Sequence, residues 1–198
     1  MNQTAVLRAY VESLPFAVRF DSRTLLTMAR REIVDNFIYH NTRNGFIERL
    51  ARGTFRVKHP DNPPVSPLEV AAHKLAAFGK KIVTLGNSTI RTGIKSNGKE
   101  EKVLVVGTDG PSSRFKFGEW LIICKRVGPR KMKLAQTSVG RVLRDLWMSG
   151  KITPSQIDLS KLKYVRQSHY RPILRALQKY SPQWLTEIFQ TYATFRIT

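Results

Sequence analysis

Carboxylates placed near lysines, scattered histidines and a large excess of arginine and lysine are the residues here that could do chemistry. Asp109, Glu119 and Lys125 fall on segments that read as neighbouring strands. Two carboxylates and a lysine so placed can bind a divalent cation and polarise a phosphate, the outline of a metal-dependent nuclease. Against this, Thr108-Asp109-Gly110-Pro111 has the composition of a turn, in which the aspartate accepts hydrogen bonds from nearby backbone. His40, His59, His73 and His169 are isolated from one another, and Cys124 is the single cysteine, so no zinc-ligand spacing exists. Gly107, Gly110 and Gly118 lack a surrounding strand, glycine-rich turn and helix, so they form no phosphate-binding fingerprint. Beside Leu121, Ile122 and Ile123, Cys124 reads as a buried strand thiol rather than a nucleophile. The expectation is a protein that is not an enzyme, with no metal and no cofactor.

The basic residues are more informative. Lys and Arg number 34 against 14 Asp and Glu, a formal net charge of +20. Such an excess destabilises a compact state by self-repulsion, so an anionic partner is its natural explanation. Residues 1–60 hold 10 basic and 5 acidic residues, leaving 24 and 9, a net of +15, for residues 61–198. Two acid-free blocks stand out in this second part. One carries Lys125, Arg126, Arg130, Lys131, Lys133, Arg141 and Arg144; the other carries Lys161, Lys163, Arg166, Arg171, Arg175 and Lys179, with Tyr164, His169 and Tyr170 interleaved. Solvated helix faces would explain one such run. Two favour an accessory surface for nucleic acid or an acidic protein.

Elements that could position the remaining arginines lie between Ser22 and Val57. A short apolar segment (Thr24, Leu25, Leu26) and a turn around Thr27–Ala29 precede a helical stretch from Arg30 to Asn44. There Ile33, Val34, Phe37, Ile38 and Asn41 form one stripe at a period near 3.6. Asn41 puts a polar group on that stripe. Gly45 suits a helix stop, and residues 46–57 read as a β-hairpin with Arg52-Gly53 at its tip. Two helices followed by a hairpin outline a winged helix-turn-helix. The DNA-binding candidates are then Arg23, Arg30, Arg31, Asn36, Tyr39 and Arg43 around the second helix, with Arg49, Arg52 and Arg56 on the wing.

A helix over Thr4–Leu14, stopped by Pro15, and an extended link over Phe16–Phe20 complete a first domain at residues 1–58. Residues 59–65, rich in proline, read as a semi-rigid linker. A second domain over residues 66–198 opens with the capping box Ser66-Pro67-Leu68-Glu69, whose helix runs to Gly79. Strands are expected at Lys81–Leu85 and Lys102–Gly107, with a hairpin of Arg114–Phe117 and Trp120–Lys125 around Gly118-Glu119. Asn87–Thr92 is ambiguous, a short helix being one reading. Helices are expected at Thr137–Ser149, Pro154–Lys163, Ser168–Lys179 and Pro182–Thr194. The fold class is α+β: a winged helix-turn-helix followed by a small mixed sheet flanked by helices. No run approaches a membrane span and no signal-peptide pattern opens the chain, so a cytoplasmic protein with no membrane partner is expected.

Several short motifs follow one another in order along the chain. They are Val34-Asp35 with Ile38, Gly45-Phe46-Ile47, Leu50-Ala51-Arg52-Gly53-Thr54-Phe55, Pro67-Leu68-Glu69-Val70-Ala71, Leu85-Gly86-Asn87, Thr108-Asp109-Gly110-Pro111-Ser112 and Val139 to Trp147. In these the chain resembles, over residues 1–150, the AbiEi-type antitoxins of type IV (abortive-infection) toxin–antitoxin pairs, and a related short family of winged-helix transcriptional regulators. The resemblance implies a head that binds operator repeats in double-stranded DNA and represses its own operon, and a second domain that opposes a nucleotidyltransferase-like toxin. An RNA-binding protein of the translation machinery is the rival reading, since basic charge with aromatic residues also suits RNA.

Overall fold

The computed structural model describes residues 2–85, 90–94, 100–134, 138–149 and 170–197. They form a mixed α+β fold with two sheets. The chain packs as two units: Met1–Ile82 with Thr92–Leu104 and Ser113–Ile123, and Val83–Arg91 with Val105–Ser112 and Cys124–Thr198.

In the first unit, helix α1 (Gln3–Glu12) starts where the Asn2 side chain accepts from the Thr4 and Ala5 amides. Strand β1 (Arg19–Asp21) follows, then α2 (Ser22–Leu26), capped by the Asp21 carboxylate, and α3 (Arg31–Arg43). Strands β2 (Ile47–Ala51) and β3 (Thr54–Val57) make the hairpin, and the sheet order is β1-β3-β2 with antiparallel pairing. The link over Phe16–Phe20 therefore ends in a strand, Phe20 standing opposite Phe55. A three-residue strand with one inward side chain leaves no periodic signal to read.

Leu7, Val11, Phe20, Leu25, Val34, Phe37, Ile38, Ile47 and Phe55 close the core, each worth about 1.5–3 kcal/mol as buried apolar surface. Asn41 is tolerated on the stripe because its Nδ2 donates to the Phe37 carbonyl one turn earlier, at 2.7 Å. The helix ends as Gly45 takes φ +74°, with the Phe46 amide bonded to Asn41 O and the Gly45 amide to Thr42 O. That is the pairing of a Schellman stop, which needs a left-handed residue at this point.

Residues 59–65 do not separate two bodies. Asn62 Nδ2 donates to Val57 O at 2.8 Å, and an Arg56 guanidinium nitrogen donates to Pro63 O at 2.7 Å, so the segment is fastened to β3. Helix α4 (Pro67–Ala76) keeps its capping box, with Ser66 Oγ accepting from the Glu69 amide at 3.2 Å. It packs within the first unit: Val70 joins Leu50 and Ala51, with Phe115 and Phe117 against them. A β-bulge between Arg49 and Ala51 makes this packing available, because it turns the consecutive Leu50 and Ala51 side chains inward.

The second sheet contains β4 (Ile82–Thr84), β5 (Ile90–Ile94), β6 (Glu100–Thr108), β7 (Ser113–Phe117) and β8 (Trp120–Arg126). Its order is β4-β6-β8-β7, with β5 also paired to β6. Residues 90–94 are thus strand, which decides the described part of the ambiguous stretch Asn87–Thr92. In the second unit, Gly107 is required by close approach: a Cβ there would lie 2.6 Å from Val127 and 2.7 Å from Val83. Cys124 is fully buried in β8.

Helices α5 (Pro129–Lys133), α6 (Ser138–Ser149), α7 (Tyr170–Tyr180) and α8 (Gln183–Ile197) complete that unit. Their core joins Leu134, Leu143, Tyr170, Leu177, Leu185 and Phe189. The short α5, which carries basic residues and buries none of them fully, had no apolar pattern to announce it. The helix expected at Pro154–Lys163 and the Gly86-Asn87 turn lie outside the described residues. No described helix is long and apolar enough to cross a membrane.

Candidate nucleic-acid interface

Helix α3 turns Val34, Phe37 and Ile38 inward, so its other face is presented to solvent. Arg31, Asn36, Tyr39 and Arg43 are all exposed there, Tyr39 by 56%. Arg43 donates to the Tyr39 hydroxyl at 3.3 Å, which holds two flexible groups side by side. Glu32 and Asp35 share the exposed side and moderate its charge.

The start of α3 is unusual. Arg30 is its N-cap, no side chain caps the first turn, and Arg31 follows at once. Cations at the positive end of a helix cost about 0.3–1 kcal/mol each, and Glu32 in the same first turn offsets part of that cost. The Arg30 amide donates to Gln3 Oε1 at 3.1 Å, so α1 fixes where this end points.

The arginines expected beside α3 divide. Arg52 is exposed at the hairpin turn, and Arg49 is exposed on β2 with its guanidinium 5.6 Å from the Phe55 ring centroid. Arg56 is not available as a phosphate contact. It is 8% exposed, its Nε donates to Glu48 Oε2 at 2.6 Å, and it also holds Pro63 O. Arg23, although exposed, is also committed to the protein's own groups: it donates to Ala77 O at 3.1 Å and lies 4.8 Å from the Phe78 ring centroid.

Beneath α2 and α4 runs an open groove of about 720 Å³, lined by Asp21, Arg23, Thr24, Leu26, Thr27, His73, Ala76 and Ala77. Burial pushes the His73 imidazole below its ordinary pKa, against the partial restoring pull of the Asp21 carboxylate.

In the second unit, Lys125, Arg126, Arg130, Lys133, Arg141, Arg171 and Arg175 are exposed. Arg171, Arg175 and Lys179 recur every fourth residue along α7 and so share one face. Lys133 of α5 and Lys179 both lie over the Tyr180 ring, at 5.2 and 5.4 Å. The sequence places Lys133 and Lys179 in its two basic blocks but does not announce Tyr180 between them, because the approach of Lys133 to that ring is a tertiary contact.

Two members of the expected basic set face inward. Lys131 is half-buried, lies 5.3 Å from the Trp147 ring centroid and donates to Trp147 O at 3.3 Å; burial lowers its pKa. Arg144 is fully buried: it donates to Lys131 O at 3.0 Å, to Thr84 O at 3.1 Å, and to Leu134 O. Burial, and then the charge of Arg141, hold its pKa below the ordinary value. Its charge serves the interior, not a surface. Lys161, Lys163 and Arg166 lie outside the described residues.

Of the groups in the nuclease reading, Glu119 sits at the β7–β8 turn with its carboxylate 2.5 Å from Lys102 Nζ. The turn at Asp109 is organised by Thr108, whose hydroxyl accepts from the Gly110 amide at 3.0 Å. Among the described residues no three His, Cys, Asp or Glu side chains come together in a way that could hold a metal ion. No family model, curated protein or solved structure matches this chain.

Proposed function

We propose that the N-terminal unit is a winged helix-turn-helix and that the chain is a DNA-binding transcriptional repressor. The observation that carries this reading is the exposed face of α3. Its uncapped, doubly basic start leads into Asn36, Tyr39 and Arg43, and the core places nothing over them. The order α1-β1-α2-α3-β2-β3, with the sheet β1-β3-β2, supports this reading, in which α3 enters a major groove and the hairpin flanks it. Arg30 and Arg31 then meet phosphates, while Asn36 and Arg43 reach base edges. The exposed cations of α5 and α7 add phosphate contacts that carry no sequence information.

The fuller form of the proposal is an antitoxin of a type IV pair, acting in the cytoplasm on operator repeats of its own promoter and opposing a nucleotidyltransferase-like toxin without doing chemistry itself. Its support is the resemblance over residues 1–150. RNA binding is the second reading, favoured by the Tyr180 ring flanked by Lys133 and Lys179.

The test compares the full chain on duplex DNA from upstream of its own gene with its binding to a structured RNA, at matched salt. The duplex is expected to bind more tightly. Arg43→Ala should cost about 1–3 kcal/mol of that affinity by losing a base contact, and Arg31→Ala should weaken binding and flatten the slope of log K against log salt by ~0.9 by losing a phosphate contact. Tighter binding to RNA, together with unchanged duplex affinity in both variants, would overturn the repressor reading. Co-expression with the product of the adjacent gene tests the antitoxin role, which fails if growth is not rescued.

A further inference from the structure

The β2–β3 turn is held from two sides. Its two residues, Arg52 and Gly53, join strands whose last pair is Ala51 and Thr54. Gly53 takes φ +78°, and a Cβ there would lie 3.2 Å from Ser22 Oγ, so the first residue of α2 sits directly against the turn. The Ser22 amide donates to Gly53 O at 3.1 Å. On the other side, Lys74 of α4 donates its ammonium to Arg52 O, with Nζ 5.2 Å from the Phe115 ring centroid. Both carbonyls of the turn are therefore occupied by partners far away in sequence, while the Arg52 side chain stays exposed.

We propose that Lys74 is a positioning residue for DNA binding, pinning the turn that presents Arg52. The inference rests on the repressor reading above and deepens it. A two-residue turn with free carbonyls would move among conformations, and binding would have to order it. With Arg52 O held by a charge-assisted bond, the guanidinium leaves a fixed base and needs only its own side-chain torsions settled. The same bond uses the Lys74 charge within the protein, so this lysine adds no phosphate contact of its own. Helix α4 thereby becomes part of the DNA-binding apparatus without touching DNA. Its contribution depends on the register of its capping box, because Ser66 and Glu69 set where Lys74 falls.

The experiment uses the full chain, a labelled mixed-sequence DNA duplex, and the variants Lys74→Met, Lys74→Arg, Arg52→Ala and Lys74→Met with Arg52→Ala. Lys74→Met should weaken binding about three- to tenfold, the scale of ordering one added flexible group on association. Lys74→Arg, which restores a cationic donor, should bind as the wild type does. The slope of log K against log salt should be unchanged in Lys74→Met, whereas removing a cation that neutralises one phosphate flattens it by ~0.9. In the Arg52→Ala background Lys74→Met should add nothing, since it acts through Arg52.

A flattened slope for Lys74→Met, an undiminished loss in the Arg52→Ala background, or wild-type affinity in Lys74→Met would each overturn the proposal. A separate measurement needs no DNA: hydrogen exchange of the Ser22 amide should accelerate in Lys74→Met, and unchanged exchange would refute the pin. If the wild-type chain binds no duplex, the repressor reading and the DNA role of Lys74 fall together, and the exchange arm still reports on the pin.

Discussion

Replacing Arg144 by methionine keeps most of the aliphatic stem and removes the guanidinium from a fully buried position. The structure sets the size of the effect. Three main-chain carbonyls, of Thr84, Lys131 and Leu134, would lose a charged donor. A buried carbonyl left without a partner costs about 1–3 kcal/mol, so the gross loss is about 3–9 kcal/mol. Opposing it, the variant no longer buries a guanidinium, whose desolvation costs several kcal/mol and is visible in the lowered pKa. The net expectation is a loss of about 2–4 kcal/mol from the second unit. Urea unfolding followed by tryptophan fluorescence reads it, since Trp147 and Trp184 both pack on that unit's core. Arg175→Met, at an exposed site on α7, is the comparator and should change stability by no more than about 0.5 kcal/mol. A loss below about 1 kcal/mol in Arg144→Met would refute the argument. So would a normally stable variant with a flattened salt dependence of DNA binding, because the guanidinium would then face phosphate rather than carbonyls.

Two further perturbations act on the first unit. Ser66→Ala removes the hydroxyl that accepts from the Glu69 amide and should cost about 1 kcal/mol, read as a shift of the urea midpoint at constant slope; no shift would mean the start of α4 adds nothing to stability. The pH dependence of stability should carry the signature of His73. Burial lowers its folded pKa below the ordinary 6.5, so the unfolded chain binds more protons and stability falls as pH drops through 6.5 towards the folded value. His73→Gln should flatten that limb of the curve, and an identical slope in the variant would assign it to another group.

Much of the first unit was legible before any tertiary contact was known, because its signals are local. The stripe of Val34, Phe37 and Ile38 states which face of α3 is apolar, and Gly45 marks its end through a backbone conformation that glycine adopts freely. Asp21 and Ser66 cap helices through bonds only two or three residues long. Strand β1 escaped notice because three residues carry no period, and it became a strand only when β3 arrived to pair with it. The membership of α4 in the first unit was equally hidden. It depends on Val70 meeting Leu50 and Ala51, whose shared inward direction comes from a bulge that no pattern of apolar residues announces.

The arginines show the same division most sharply. The composition of this chain, at +20, already determined that an anionic surface partner is worth seeking. Which cations are free to meet it was decided by the fold. Arg31, Arg43 and Arg52 remain at the surface, and so does Arg23 while bonded to Ala77 O, whereas Arg56 is drawn inward to Glu48 and Pro63 O, and Arg144 to three carbonyls. The physical reason is that a guanidinium is a long, flexible group whose exposure depends on which acceptors come within reach. For Arg23, Arg56 and Arg144 the acceptors include main-chain carbonyls, which every sequence has and which only the tertiary structure places.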